Sequence, residues 1–264
     1  MGVLRNTGRT ATTAKISEKL AERLRGEIAS GKYRPGEMLP PEAVLMQSYG
    51  VGRPSMREAL RILESDGLIR IIRGATGGAE VLELDVVALA RRAGLYLQLR
   101  GADLADLREA RSFIDPGAVA LAAGRKLPAD IETLRRCVER VRICRRGSDF
   151  SETAADFVEG LLMASGNQTL SLFGLVIDRL LRQEFHRFVD DGKGWASGEK
   201  AERFAREWSN VVDKIEAGDS EGAVAAWNEH REKNPPPSLT GPSRSAPLAV
   251  YPARRGRRRG ENPL

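Results

Sequence analysis

Within residues 50–74, GVGRPSMREALRILESDGLIRIIRG, the chain passes from a helical period to a strand period. Arg53, Arg57 and Arg61 recur every four residues and form one basic stripe. Met56, Ala59, Leu60 and Leu63 form an apolar stripe on the other side of the same helix. Asp66-Gly67 ends it, and Leu68-Ile69-Arg70-Ile71-Ile72 is β-prone. A helix buried on one face, arginine-lined on the other and flanked by a hairpin suits the major groove of duplex DNA. Taken alone, the stripe reads sooner as a solvated face paired with Glu58 and Glu64.

The flanking sequence favours the first reading. Ile16, Leu20, Leu24 and Ile28 are spaced as a helix over 14–30, which Ser30-Gly31 stops. A turn at Tyr33-Arg34-Pro35-Gly36 leads to a short helix over 41–48, with proline in its first turn. Strand 68–72, a glycine-rich loop 73–78 and strand 79–83 complete a winged helix-turn-helix over 14–84, preceded by a disordered arm at 1–13. From 85 to 233 the pattern is helical throughout, with helices expected at 85–99, 103–123, 128–146, 149–164, 168–190, 197–216 and 219–232. The expected fold class is therefore mainly α: a winged helix-turn-helix followed by an antiparallel all-α bundle. Residues 234–264, from Asn-Pro-Pro-Pro to an Arg-rich end, read as a disordered basic tail.

Charge follows this division. Residues 1–80 hold 13 Lys/Arg against 9 Asp/Glu, 81–233 hold 23 against 26, and 234–264 hold 6 against 1. A basic head before a slightly acidic second domain fits a nucleic-acid binder with a separate sensing or dimerising part. No apolar run reaches the roughly 18 residues of a membrane span, and no secretory h-region is visible at the start, so no membrane partner and a cytoplasmic location are expected. Cys137 and Cys144 sit seven apart on one expected helix, too far to bridge, and read as buried small hydrophobes in a reducing compartment. No nucleophile elbow, P-loop, dinucleotide fingerprint or metalloprotease helix is present, so an enzyme is not expected. Gly74-Ala75-Thr76-Gly77-Gly78 lies between two strands and opens no helix for a phosphate.

Gly36-Glu37-Met38-Leu39-Pro40-Pro41-Glu42, Tyr49 through Leu60, and Leu63-Glu64-Ser65-Asp66-Gly67-Leu68 resemble the GntR family of bacterial transcription regulators. Leu107-Arg108-Glu109-Ala110-Arg111, Ala164-Ser165-Gly166-Asn167 and Ala217-Gly218-Asp219 to His230 resemble the all-helical FCD effector domain of its FadR subfamily. The resemblance implies that Arg53 and Arg57 contact bases, with Arg61 on the same stripe. It implies that Ser55 and the Gly52 backbone meet phosphates, and that Arg73-Gly74 enter the minor groove. Ala43 stands where many members carry an arginine, so one contact is missing. The expected partners are a palindromic double-stranded operator, a small-molecule effector and a second copy of the chain.

Many domains of this type resemble one another in a buried divalent-metal site. Here the four corresponding positions are Ala154, Val158, Trp208 and His230, so no metal and no other cofactor is expected. Val158 and Trp208 in place of imidazoles make the pocket more apolar, which points to an acyl or lipid-like effector. Arg111 and Arg108 are the candidate partners for its polar group, and His230 and His186 are further candidates. The alternatives are that Arg111 and Arg108 bridge to Asp115 or Glu109, and that the helical domain only dimerises.

Overall fold

A computed structural model describes residues 7–74, 77–144, 147–189, 198–234 and Leu248, with side chains described from Lys15 onward and not at 183–189. The chain divides into two compact units, Met1–Asp85 and Val86–Leu264.

The first unit contains α1 (Thr7–Ala29), α2 (Glu42–Tyr49), α3 (Arg53–Ser65), β1 (Ile69–Ile72) and β2 (Gly78–Val81). The helix α1 begins at Thr7, so the expected arm at 1–13 is helical over 7–13, while 1–6 lie outside the described residues. Once the apolar stretch from Ile16 has nucleated the helix, each added residue gains a hydrogen bond at little further entropic cost, and no proline stops it. Both α1 and α2 pack on α3. Leu20, Leu24, Leu45, Met56, Leu63 and Ile69 are among the residues filling the core between them. The Tyr49 hydroxyl donates to Glu27 at 2.6 Å and ties α2 to α1; burial and this carboxylate push the phenol pKa up.

Gly50, with φ 64°, caps α2 in the left-handed region and turns the chain into α3. The strands pair antiparallel, Ile69 opposite Val81 and Ile72 opposite Gly78. The outer edge of β2 is covered by residues 36–39: Gly36 N–H donates to Val81 and Leu39 N–H to Ala79.

The second unit is helical among its described residues: α4 (Val86–Leu99), α5 (Leu104–Arg125), α6 (Pro128–Ile143), α7 (Gly147–Ala164), α8 (Gln168–Val189), α9 (Gly198–Ala217) and α10 (Ser220–Lys233). Asp103 starts α5 with a capping box: its carboxylate accepts from Ala105 and Asp106, and Asp106 accepts from the Asp103 N–H. Within the unit, α9 packs on α6 and α10, α5 packs on α7, α8 and α10, and α4 packs on α8. Gly174 lets α8 approach α7 closely, since a Cβ there would stand 2.4 Å from Leu162.

Two expectations need correction here. The helix α6 stops at Ile143, so Cys144 is not on the helix that carries Cys137; both thiols are buried and not in a disulfide, and Cys144 Sγ donates to the Arg140 carbonyl at 3.3 Å. Its end is set by the extended ψ of 129° at Cys144. The tail also departs from disorder at one point, because Leu248 is buried; 235–247 and 249–264 lie outside the described residues.

Candidate functional site

Gly52 caps α3 in extended conformation with no side-chain bond, and Pro54 sits in the first turn, where a missing N–H costs nothing. Met56, Ala59, Leu60 and Leu63 point into the core. That orientation puts Arg53, Arg57 and Arg61 on the solvent face, with the Arg53 and Arg61 side chains 73% and 72% exposed. The pairing expected of a merely solvated stripe is weak. Arg53 Nε lies 3.8 Å from Glu42, and Arg61 Nη1 lies 3.9 Å from Glu58. Glu64 does not pair with the stripe; its Oε1 accepts the Ile71 N–H at 3.0 Å. Among the described residues no ion pair involves Arg57.

Ser55 does not belong to this face. It is 8% exposed, because two residues along a helix is about 200° of rotation, away from both Arg53 and Arg57. Gly52 is exposed at the start of α3, where backbone N–H groups carry partial positive charge. Arg73 and Gly74 are exposed beyond β1, and Gly74 adopts φ 131°, a conformation that favours glycine. The rest of the wing tip, Ala75 and Thr76, lies outside the described residues. Glu42 was not foreseen as a neighbour of Arg53; its place three residues beyond Leu39 in the chain gave no sign of it.

In the helical unit the effector candidates separate into two sets. Val158 and Trp208 are buried in a packed aromatic core. Phe157 stacks on Trp208 at 4.2 Å with the rings 4° apart, and Phe204 meets Trp208 edge-on at 6.0 Å. The indole N–H of Trp208 donates to His230 Nε2 at 3.1 Å. Nε2 therefore accepts, which leaves the proton on Nδ1, 2.6 Å from Glu207. Burial holds the His230 pKa below its ordinary value despite Glu207. Asn234 closes the cluster by donating to Glu207 at 2.6 Å and to the His230 carbonyl at 2.9 Å, which caps α10.

These residues do not fit a divalent ion. Both nitrogens of His230 are engaged, an indole nitrogen has no basic lone pair, and Ala154 and Val158 have no donor atom. Among the described residues, no cluster of three His, Cys, Asp or Glu side chains is arranged for a metal.

Arg111 belongs to the second set and bridges, as one reading anticipated, to Asp115 at 2.8 Å. It also lies 3.6 Å from Asp178, which binds Arg182 at 2.6 Å. Burial opposes the Arg111 charge, but Asp115 and Asp178 outweigh it and hold the pKa above the usual arginine range. Burial lowers that of Arg231. Arg108 is half-buried one turn before Arg111. The α8 half of this array went unseen, although Asp178 and Arg182 stand at i, i+4. The side chain of His186 lies outside the described residues.

Asp115, Val158, Leu161, Leu162 and Trp227 line an enclosed gap with no room for a water molecule. A cleft of about 200 Å³ between α9 and α10 is lined by Arg206, Glu207, Asn210, Glu229, His230 and Lys233. That is smaller than the roughly 300–1,000 Å³ of ordinary ligand pockets.

Comparison with known proteins defines the class. The model for bacterial regulatory proteins of the gntR family matches residues 16–77, and the FCD domain model matches 106–233. The chain is 26% identical over 207 residues to the HTH-type transcriptional regulator LutR of Bacillus subtilis (strain 168), spanning 77% of this chain and 92% of LutR. It is 33% identical over 138 residues to the HTH-type transcriptional repressor NanR of Citrobacter rodentium (strain ICC168), spanning 52% of each. The fold is similar to that of a Streptococcus agalactiae GntR structure, with a TM-score of 0.63 at 21% identity over 82% of this chain and 98% of that one. A DNA-binding head joined to a helical FCD domain defines a transcription regulator. The chain carries a gntR-family DNA-binding domain followed by an FCD domain, the pairing found in a GntR-type regulator with a C-terminal FCD domain.

Proposed function

We propose that this protein is a cytoplasmic repressor of the FadR type that binds a palindromic operator as a homodimer and releases it when a small-molecule effector enters the helical domain. The observation that carries the DNA half is the exposed stripe of Arg53, Arg57 and Arg61 on a helix whose other face is locked in the core. Arg57 and Arg53 read guanine through O6 and N7, and Arg61, Gly52, Arg73 and Gly74 hold the backbone and minor groove. Genome-wide mapping of bound sites tests this reading: it predicts inverted repeats with half-sites about one DNA turn apart. Scattered sites without a shared repeat would overturn it.

For the effector, the reading takes an acyl-type carboxylate and no metal. Asp115 and Val158 line the same enclosed gap, and Arg111 is held by Asp115, so a carboxylate gains Arg111 and the apolar walls only by displacing Asp115 from it. A ligand enters only if the helices separate, and that requirement supplies the two states a switch needs. A second reading, a helical domain that dimerises and senses nothing, draws support from the filled aromatic core around Trp208. Thermal-shift measurements with acyl-CoAs and carboxylates separate the two. Stabilisation by any of them supports the sensor, and none by the whole set supports the dimerisation reading.

A further inference from the structure

Leu248 lies well past the end of the matched FCD region at 233, yet it is only 2% exposed. It is seated among Ala90 of α4, Leu104 and Leu107 of α5, and Val176 and Leu180 of α8. Its N–H reaches the carbonyl of Ala102, in the turn between α4 and α5, at 3.5 Å. The helix α4 needs such cover. Only Ala90 and Gly94 of α4 are themselves buried, and Leu89, Leu95, Tyr96 and Leu99 remain exposed. Val86, Ala93 and Leu97 of α4 are only partly buried against the same cluster, and Leu248 completes its packing.

We propose that the junction of α4, α5 and α8 is a docking groove for an apolar anchor, and that Leu248 of the chain's own C-terminal extension occupies it. The anchor holds α4, the first helix after the DNA-binding unit in the chain, onto α5 and α8. A leucine suits the groove in chemistry, since the buried cluster it joins is aliphatic. The Ala102 carbonyl gives the Leu248 N–H a polar contact beside the apolar one. Covalent attachment supplies an effective concentration in the millimolar range, so a single leucine suffices in cis where it would be weak in trans.

Hydrogen exchange of α4 and of residues 100–107 reads this directly. In a chain ending at Asn234, amides there should exchange at least about tenfold faster, and a peptide of residues 243–253 at millimolar concentration should slow them again. The same peptide with Leu248→Ser should not. In the full chain Leu248→Ser should match the truncation, and Leu248→Met should match the parent. If the truncated chain fails to fold, the Ser and Met variants of the full chain carry the test alone. Unchanged exchange in full-length Leu248→Ser, or equal action of the two peptides, overturns the proposal. So does protection that grows with protein concentration, which would mean that a second copy supplies the segment.

Discussion

Arg57 stands exposed on α3 with no ion pair among the described residues, whereas Arg111 is largely buried between Asp115 and Asp178. The two guanidinium groups are chemically identical, and the difference lies in what surrounds them. Around α3 the core is aliphatic and the charges face water, so nothing in the fold depends on them. Around Trp208 and Arg111 the core is aromatic and the charges are built into it, so the fold does depend on them. A face that must meet a foreign polyanion keeps its cations free, and a domain that must hold its own shape neutralises them internally.

The comparison breaks most clearly through stability. Trp208→Ala should cost about 3–5 kcal/mol, the range for truncating a large buried aromatic. It removes the stack on Phe157 and leaves His230 Nε2 without its donor. Asp178→Ala should cost somewhat less, about 3 kcal/mol, because it leaves Arg182 only Glu159 at 3.9 Å and weakens the hold on Arg111. Urea melts of both variants check this. A change under 1 kcal/mol in either would mean that the helical unit does not rest on these groups.

Arg57→Ala should act the other way. Stability should stay within about 0.5 kcal/mol, while discrimination for guanine in the half-site falls by about 1–3 kcal/mol. Binding titrations over mutated operators check it, and a loss spread evenly over all sequences would reassign Arg57 to the phosphates. Glu42→Gln should have a smaller effect still. The contact to Arg53 at 3.8 Å is partly exposed, and such pairs contribute up to about 1 kcal/mol. A drop of no more than about fivefold at the base read by Arg53, and none at the base read by Arg57, is the expected pattern.

What could be read in advance follows the same contrast. The α3 stripe was legible because its period is local and its apolar half names the buried face. The seven later helices were legible because glycine and capping residues such as Asp103 and Asp219 mark their edges. The burial of Ser55 was not legible from its place between two arginines, although the helical rotation turns it toward the core. The ion pair of Asp178 with Arg111 was not legible, since it joins two helices far apart in sequence. Pro116 pulls against the reading of α5 as one helix; the helix runs through it because packing on α7, α8 and α10 outweighs one lost hydrogen bond. Leu248 gave no signal either, being one of three scattered leucines in a proline- and arginine-rich stretch.

The smallest expected effect is a null one, and it bears on the helical unit alone. Dialysis against a strong chelator should leave the melting temperature unchanged, and added zinc should not raise it. A ligand present at about 100 times its Kd stabilises the folded state by about 2.7 kcal/mol, which a melt of this chain would register as several degrees. His230 is the one imidazole at the four positions, and its ring is already committed to Trp208 and Glu207. An ion would have to displace the indole N–H and find further donors where Ala154 and Val158 have none. Trp208→His sharpens the point. It places a second imidazole beside the first and frees Nε2 of His230, so zinc should stabilise this variant more than the parent. A parent protein that loses several degrees on chelation would show that the aromatic core has not replaced the ion, and the contrast with the α3 face would then need a metal on one side of it.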